Sequence, residues 1–168
     1  MILFPIPWNN WIIKNCWFGV GIVHHRTIDS DNIYQASRIA MKRAFMALMA
    51  ATPNKALLGA ILTDAMPLNF AGTSYQHTPV RSYPKGEDWS CSIAAASIVA
   101  KITRDHLMAQ LDTVFPGYQL NVHKGYSTKI HQHAILKENR SIIHRMSFLR
   151  KLLSNPQKDD YESQKRLF

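Results

Sequence analysis

Three acidic side chains in this sequence have the type and position needed to bind a divalent cation. Asp64 follows the apolar segment 56–63, and Glu87 and Asp88 come shortly before a predicted helix. Carboxylate oxygens are the ligands that Mg²⁺ prefers in proteins. Each acid also has a structural interpretation, Asp64 as a turn or capping residue and the other two as partners of the helix dipole. The residues by themselves leave both interpretations open.

Basic and aromatic residues are concentrated late in the chain. Residues 124–151 contain a single acid, Glu138, and their cations are Lys124, Lys129, Lys137, Arg140, Arg145, Arg150 and Lys151. The aromatic and histidine side chains in or beside this stretch are Tyr118, Tyr126, Phe148, His123, His131, His133 and His144. Cations that neutralise phosphates and rings that stack on bases predict a nucleic-acid surface. The alternative is a basic face that is only solvated.

The composition indicates one globular domain. The chain has 168 residues, and 46% of them are hydrophobic, a share that excludes the disordered and collagen-like classes. The formal net charge of +9 favours an anionic partner. Cys16 and Cys91 show no disulfide or zinc-ligand spacing, which fits a reducing compartment. The chain shows no signal sequence and no apolar stretch of membrane-spanning length, so we expect a cytoplasmic protein.

Hydrophobic periodicity predicts an α/β fold that places Asp64 at the carboxyl end of a buried strand. The predicted strands are 17–23, 56–63 and 80–83, and the predicted helices are 31–49, 92–111, 128–137 and 147–153. The segment 56–63 is apolar almost without alternation, which is typical of a strand covered on both faces. Asp29 or Ser30 is the expected N-cap of the first helix and Thr128 that of the third. We expect one domain over residues 1–153 and a flexible polar tail over 154–168.

Five motifs in the sequence resemble those of one enzyme family, in the family's order. They are Lys85-Gly-Glu, Ser92-Ile-Ala-Ala-Ala-Ser-Ile-Val-Ala-Lys-Ile-Thr-Arg-Asp105, Phe115-Pro-Gly-Tyr118, His123-Lys-Gly-Tyr-Ser-Thr-Lys-Ile-His131 and Ile143-His-Arg-Met-Ser-Phe148. With weaker matches upstream, the resemblance covers roughly residues 11–150. On these motifs the sequence resembles the type 2 ribonucleases H, specifically the ribonuclease HII family.

This resemblance implies a fold and an activity. The expected fold is a ribonuclease H-like mixed sheet flanked by helices, incomplete at the N-terminus, with a C-terminal helical region. The implied activity is cleavage of RNA in RNA–DNA hybrids and of single ribonucleotides in duplex DNA. The implied cofactors are two Mg²⁺ or Mn²⁺ ions held by four carboxylates, an arrangement suited to phosphodiester hydrolysis.

The resemblance also implies roles for single residues. Asp64 matches the third metal-binding carboxylate, and Glu87 stands at the fourth position, with Asp88 as a rival. Tyr126 matches the tyrosine that packs on the ribonucleotide sugar and helps to sense its 2′-hydroxyl group. The remaining implied substrate contacts, at the duplex backbone and phosphates, are Asn32, Gln35, Lys101, Lys124 and Arg145.

Two family motifs are missing from the 168 residues, Asp-Glu-Ala-Gly-Arg-Gly and Asp-Ser-Lys-Lys-Leu. The segment Asp-Glu-Ala-Gly-Arg-Gly, which implies the first two metal ligands, does not occur in the sequence. We therefore expect an N-terminally truncated member of the family, with weak or no activity as an isolated chain. The alternatives are a non-catalytic nucleic-acid-binding module and an inactive remnant of the family.

Overall fold

The structure is a computed structural model that describes residues 16–53 and 58–154. Its helices are α1 (His25–Asp31), α2 (Ile33–Ala51), α3 (Cys91–Val114), α4 (Leu120–His123), α5 (Lys129–Glu138) and α6 (Met146–Ser154). Its strands are β1 (Ile61–Asp64) and β2 (Val80–Tyr83), and short 3₁₀ helices cover Gly86–Asp88 and Pro116–Tyr118. The α/β class is confirmed, with helices dominating.

Most predicted elements are present within a few residues of their expected bounds. The strand at 80–83 and the Thr128 cap of α5 are confirmed, since the Thr128 side chain accepts a hydrogen bond from the His131 N–H. The strand predicted at 56–63 is shorter, because β1 covers only its end and residues 54–57 lie outside the described ranges. The tail predicted at 154–168 also lies outside them apart from Ser154, so its boundary stays a prediction.

The described residues divide into two compact units. The first comprises 16–23, 34–53 and 58–104, and the second comprises 24–33 and 105–154. Each unit has its own hydrophobic core. The buried side chains of the first are Phe45, Met49, Ile61, Leu68 and Phe70. Those of the second are Tyr118, Leu120, Ala134, Ile135, Leu149 and Leu152.

The sheet of the first unit positions Asp64. Strands β1 and β2 are parallel, with Ile61 opposite Val80 and Asp64 opposite Tyr83. Along β1, Ile61 and Thr63 are buried while Leu62 and Asp64 are exposed. The expectation of a strand covered on both faces is therefore wrong for the described part of β1. Its side chains alternate because the core lies on one face only.

The predicted strand at 17–23 is wrong, because this segment has no regular secondary structure and pairs with no strand in the described part of the chain. It packs against α2 instead. A Cβ atom built on Gly19 or Gly21 would collide with the backbone of α2, at the carbonyl oxygens of Ala44 and Ala40 respectively. The side chain of Arg43 donates a hydrogen bond to the Ile22 carbonyl oxygen over 2.7 Å. The segment 17–23 thus packs on a helix and not in a sheet.

Helix α1 was not predicted, and it corrects the expected N-cap at Asp29 or Ser30. Both residues lie inside α1, whose N-cap is His24, and Asn32 separates α1 from α2 with a φ of 76°. Helix α1 has no buried residue, so its sequence carries no apolar stripe that could reveal it.

None of the helices in the described ranges combines the length and apolar character that a membrane span requires.

Candidate functional site

Asp64 occupies the last position of β1, as the sequence predicts. The carboxyl ends of parallel strands are where α/β proteins place reactive groups. Its Oδ1 atom accepts a hydrogen bond from the Gly86 N–H over 3.0 Å. This bond joins the end of β1 to the loop after β2. Gly86 is buried beside Asp64, and a Cβ atom there would lie 2.7 Å from the Ile93 side chain. The close approach favours glycine at this position.

Glu87 and Asp88 lie in the 3₁₀ helix that begins at Gly86, and both are exposed. The turn is closed by the Asp88 N–H, which donates to the Lys85 carbonyl oxygen over 3.1 Å. The structure thus places these two predicted acids directly after the residue that binds the Asp64 carboxylate. Within 16–53 and 58–154, however, no three His, Cys, Asp or Glu side chains are close enough to form a metal-binding group.

Tyr126 lies in the loop that joins α4 to α5, and its side chain is 54% exposed. The loop turns through two residues with positive φ, Lys124 at 50° and Gly125 at 77°. The Tyr126 N–H donates to the His123 carbonyl oxygen, and the Tyr126 carbonyl oxygen accepts from the Thr128 N–H, over 2.8 and 2.9 Å. The loop therefore combines a hydrogen-bonded backbone with an exposed aromatic ring.

The structure corrects part of the predicted nucleic-acid surface. His123, His131 and His144 are buried, at 5%, 5% and 8% exposure, and Tyr118 belongs to the core of the second unit. They pack on one another because they lie on the inner faces of their elements. The surface interpretation remains available for Tyr126, which is exposed.

Burial changes the protonation of these histidines. It lowers the pKa of His131 to about 4, helped by the positive charges that His123 and His144 would carry. Burial also lowers the pKa of His144, with smaller contributions from His25 and His123. Both side chains are therefore neutral at pH 7.

We expect the buried histidines to make the chain less stable in mild acid. An unfolded histidine takes up a proton near pH 6.5, but folded His131 does so only near pH 4, so the unfolded state binds more protons between these values. The unfolding free energy should fall by about 2 kcal/mol from His131 alone between pH 7 and pH 5. Urea unfolding at the two pH values measures it. A His133→Asn variant, altered at an exposed position of α5, should keep this loss, and equal stability at both pH values would contradict the expectation.

The other predicted substrate contacts fall in both units. Gln35 and Lys101 lie on α2 and α3 in the first unit, where the Gln35 side chain accepts from Arg38 over 3.3 Å. In the second unit, Asn32 ends α1 and Lys124 donates to the Asn121 side chain over 2.7 Å. Arg145 stands directly before α6. The first unit therefore contains the predicted metal ligands Asp64 and Glu87. The second contains Tyr126, and each unit also contains some of the other predicted substrate contacts.

Asp29 has a role that the sequence did not reveal. Its carboxylate accepts hydrogen bonds from the N–H groups of Met146 and Ser147, over 2.7 and 3.2 Å, and from the Ser147 hydroxyl group. The Ser147 hydroxyl group and these backbone donors hold the pKa of Asp29 below its ordinary value. Asp29 thereby caps the N-terminus of α6 and fixes the segment that contains His144 and Arg145.

A parallel strand pair ending in an exposed carboxylate, with helices around it, is consistent with the ribonuclease H-like class of α/β proteins. The family model of ribonuclease HII matches residues 17–151. The chain belongs to the ribonuclease HII family.

Individual relatives agree with this assignment. The chain is 44% identical to the ribonuclease HII of Alkaliphilus metalliredigens over 135 residues, which cover 80% of this chain and 63% of that protein. It is 43% identical to the ribonuclease HII of Clostridioides difficile over 136 residues, which cover 81% and 49% of the two chains. For the ribonuclease HII of Listeria innocua the identity is 42% over 130 residues, with coverages of 77% and 45%. The chain thus matches between about half and two thirds of the length of these relatives.

Proposed function

We propose that this chain is an endoribonuclease that cleaves RNA in RNA–DNA hybrids and at single ribonucleotides in duplex DNA, with Mg²⁺ or Mn²⁺ as cofactor. The observation that carries the proposal is family membership over residues 17–151, a range that contains Asp64, Glu87 and Tyr126. The net charge of +9 supports an anionic duplex as the partner.

The carboxylates at the end of β1 fit a hard divalent cation. Asp64 and Glu87, or Asp88 in place of Glu87, offer only oxygen ligands, and all three acids are exposed. Mg²⁺ is commonly held by one or two carboxylates and completes its shell with water and substrate phosphates. The described residues therefore suit part of a two-ion site, with Asp64 as its best-positioned ligand.

Each residue of this partial site has a separate task. A bound ion would polarise a water molecule and neutralise charge that develops on the phosphate group. Gly86 orients the Asp64 side chain, because the Gly86 N–H donates a hydrogen bond to its Oδ1 atom. The 3₁₀ helix after Gly86 presents Glu87 and Asp88 on the same loop. A carboxylate held as Asp64 is needs little reorganisation to bind a cation.

Recognition of the ribonucleotide is the proposed task of Tyr126. Its exposed ring can pack on a sugar, and its backbone is held by hydrogen bonds at both its N–H and its carbonyl oxygen. Lys124, two residues earlier on the same loop, supplies a cation for a phosphate group. The contacts of Asn32, Gln35, Lys101 and Arg145 with the duplex backbone are proposed on the family resemblance.

We expect this chain to be a slow nuclease by itself. The resemblance implies four carboxylates, and the 168 residues supply candidates for two of them, Asp64 and Glu87. Fewer anionic ligands weaken the binding of each ion, since the ions and carboxylates neutralise one another. Single-turnover measurements with excess protein are therefore the appropriate assay.

Substitution of Tyr126 tests the proposed recognition. Tyr126→Ala should weaken binding to a duplex with one ribonucleotide about 10-fold, because stacking on an aromatic ring contributes about 1–3 kcal/mol. Tyr126→Phe keeps the ring face and should retain most of the affinity. Fluorescence anisotropy with two duplexes that differ in a single 2′-hydroxyl group measures both affinities. Wild-type affinity of Tyr126→Ala for the ribonucleotide duplex would contradict the role.

A second candidate function is a nucleic-acid-binding module without catalysis. It is favoured by the finding that the residues of 16–53 and 58–154 form no metal-binding group of three or more ligands. This module would bind hybrids in a salt-sensitive manner, and Asp64→Asn would leave its behaviour in Mg²⁺ unchanged. The nuclease proposal predicts the opposite for this variant.

A further inference from the structure

Three buried histidines of the second unit form a connected group that the proposed chemistry does not use. His123 ends α4, His131 lies in the first turn of α5, and His144 precedes α6. The rings of His123 and His131 stack with centroids 4.0 Å apart and an interplanar angle of 15°. The rings of His131 and His144 lie 5.4 Å apart. The group therefore links α4, α5 and the segment before α6 through ring contacts.

The hydrogen bonds of His144 and His131 determine where their protons lie. The Ser141 N–H donates to His144 Nδ1 over 3.2 Å, so the proton of neutral His144 is on Nε2. His144 Nε2 lies 3.2 Å from His131 Nε2 and donates to it. The proton of His131 is then on Nδ1, which donates to the Tyr126 carbonyl oxygen over 2.9 Å. The bonds form one chain in a single direction, from Ser141 to Tyr126.

His123 supports the same loop from its other side. Its Nδ1 atom accepts from the Gly125 N–H over 3.1 Å, and its Nε2–H donates to the Tyr118 carbonyl oxygen over 2.7 Å. All six ring nitrogens of the three histidines thus have a protein partner. A metal ion would need lone pairs that these bonds already occupy, so the group is suited to holding backbone and not to binding a cation.

The held backbone is that of Tyr126. The peptide before Gly125 is fixed at the Gly125 N–H by His123, and the peptide after Tyr126 is fixed at the Tyr126 carbonyl oxygen by His131. Lys124 has a φ of 50°, a conformation that a residue other than glycine adopts only at an energetic cost, so the loop needs such support. The exposed ring of Tyr126 therefore projects from a backbone whose direction the histidines set.

We propose that His123, His131 and His144 are positioning residues that fix the Tyr126 backbone and thereby the fit of its ring to a ribonucleotide. The role in ribonucleotide fit rests on the proposed function of Tyr126. The fixing of the loop does not, and the two parts are measured separately.

Nuclear magnetic resonance of the imidazole nitrogens tests the hydrogen-bond chain without any substrate. At pH 7 the two-bond ¹H–¹⁵N spectrum of the full chain should show His131 protonated on Nδ1, and His123 and His144 protonated on Nε2. A proton on Nε2 of His131, or a charged His131 at this pH, would overturn the chain of bonds and the proposal with it.

Two variants of His131 separate positioning from simple packing. In His131→Asn the amide N–H stands near the place of Nδ1 and can still donate to the Tyr126 carbonyl oxygen. In His131→Gln the amide stands near the place of Nε2, where it can reach His144 but leaves Tyr126 without its donor. Amide hydrogen exchange of Gly125 and Tyr126 should accelerate about 10-fold or more in the Gln variant and about 3-fold or less in the Asn variant. Equal acceleration in both variants, each with cooperative unfolding, would overturn the proposal.

The same variants carry the test to recognition. The preference for a ribonucleotide duplex over the matching DNA duplex should fall about 10-fold in His131→Gln and stay near the wild-type value in His131→Asn and in the exposed control His77→Asn. The positioning role would be overturned if, across the variants, the preference for the ribonucleotide duplex followed the urea midpoint of unfolding and not the amide exchange rates of Gly125 and Tyr126. A wild-type chain with the predicted protonation and exchange but no preference would refute the proposed function and leave the loop support standing.

Discussion

Asp64→Asn is expected to reduce the rate of metal-dependent hybrid cleavage about 100-fold or more, because it removes the anionic ligand at the end of β1. The asparagine Oδ1 can still accept the hydrogen bond from the Gly86 N–H, so the local structure should survive. Affinity for the duplex in the absence of divalent ions should change about 2-fold or less, since binding without ions depends on cations and aromatic rings. Single-turnover cleavage in Mn²⁺, with anisotropy for binding, gives both values.

Two further acid substitutions serve as controls for this result. Glu138→Gln removes a charge that is paired with Lys137 at 3.2 Å and should leave cleavage unchanged. Glu87→Gln and Asp88→Asn, compared with each other, show which acid is the second ligand, because only the ligand should reproduce much of the Asp64 effect. Cleavage by Asp64→Asn at the wild-type rate would assign the activity to another site or to a contaminant.

Gly21→Ala is expected to destabilise the chain by about 3 kcal/mol, because the close packing of 17–23 on α2 leaves no room for a methyl group. The new Cβ atom would collide with the Ala40 carbonyl oxygen and lie 2.6 Å from the Ala44 nitrogen. Both atoms belong to helix backbone and cannot rotate away. Urea unfolding at pH 7 measures the loss.

Gly59→Ala is the matched control for this substitution. Apart from its chain neighbours, no atom of the described residues lies within 4 Å of the position that its Cβ would take, so its stability should stay close to that of the wild type. If Gly21→Ala were as stable as Gly59→Ala, the inferred close packing of residues 17–23 against α2 would be wrong.

The regular elements were predictable where one pattern decides them. Thr128 caps α5 as expected, and β2 covers the four residues predicted as a short strand between Pro79 and Pro84. The prediction of a strand at 17–23 is wrong because a short apolar and β-branched run does not show whether it pairs with a strand or packs on a helix. Helix α1 escaped prediction because none of its residues is buried, so no apolar stripe marks it. The bonds of Asp29 to Met146 and Ser147 join residues more than 100 positions apart and leave no local pattern either.

The site was predictable through its motifs more than through its physics. Asp64 at the carboxyl end of a strand followed from the apolar run before it, but nothing in the sequence pattern shows that the Gly86 N–H binds its carboxylate. The sequence predicts surface positions for the histidines of the late motifs, because they are interleaved with Lys and Arg. Their burial depends on contacts between α4, α5 and the segment before α6, which no local period reveals.

The cleavage of a duplex that contains one ribonucleotide tests the proposed function most directly. The 168-residue chain, in molar excess and with Mn²⁺ or Mg²⁺, should cut slowly at the ribonucleotide, leave a 5′-phosphate and a 3′-hydroxyl group, and leave the matching DNA duplex intact. The cut should disappear with a chelator and in Asp64→Asn. No cleavage above that of Asp64→Asn in either ion, with intact binding of the duplex, would contradict the account and support a binding module without catalysis.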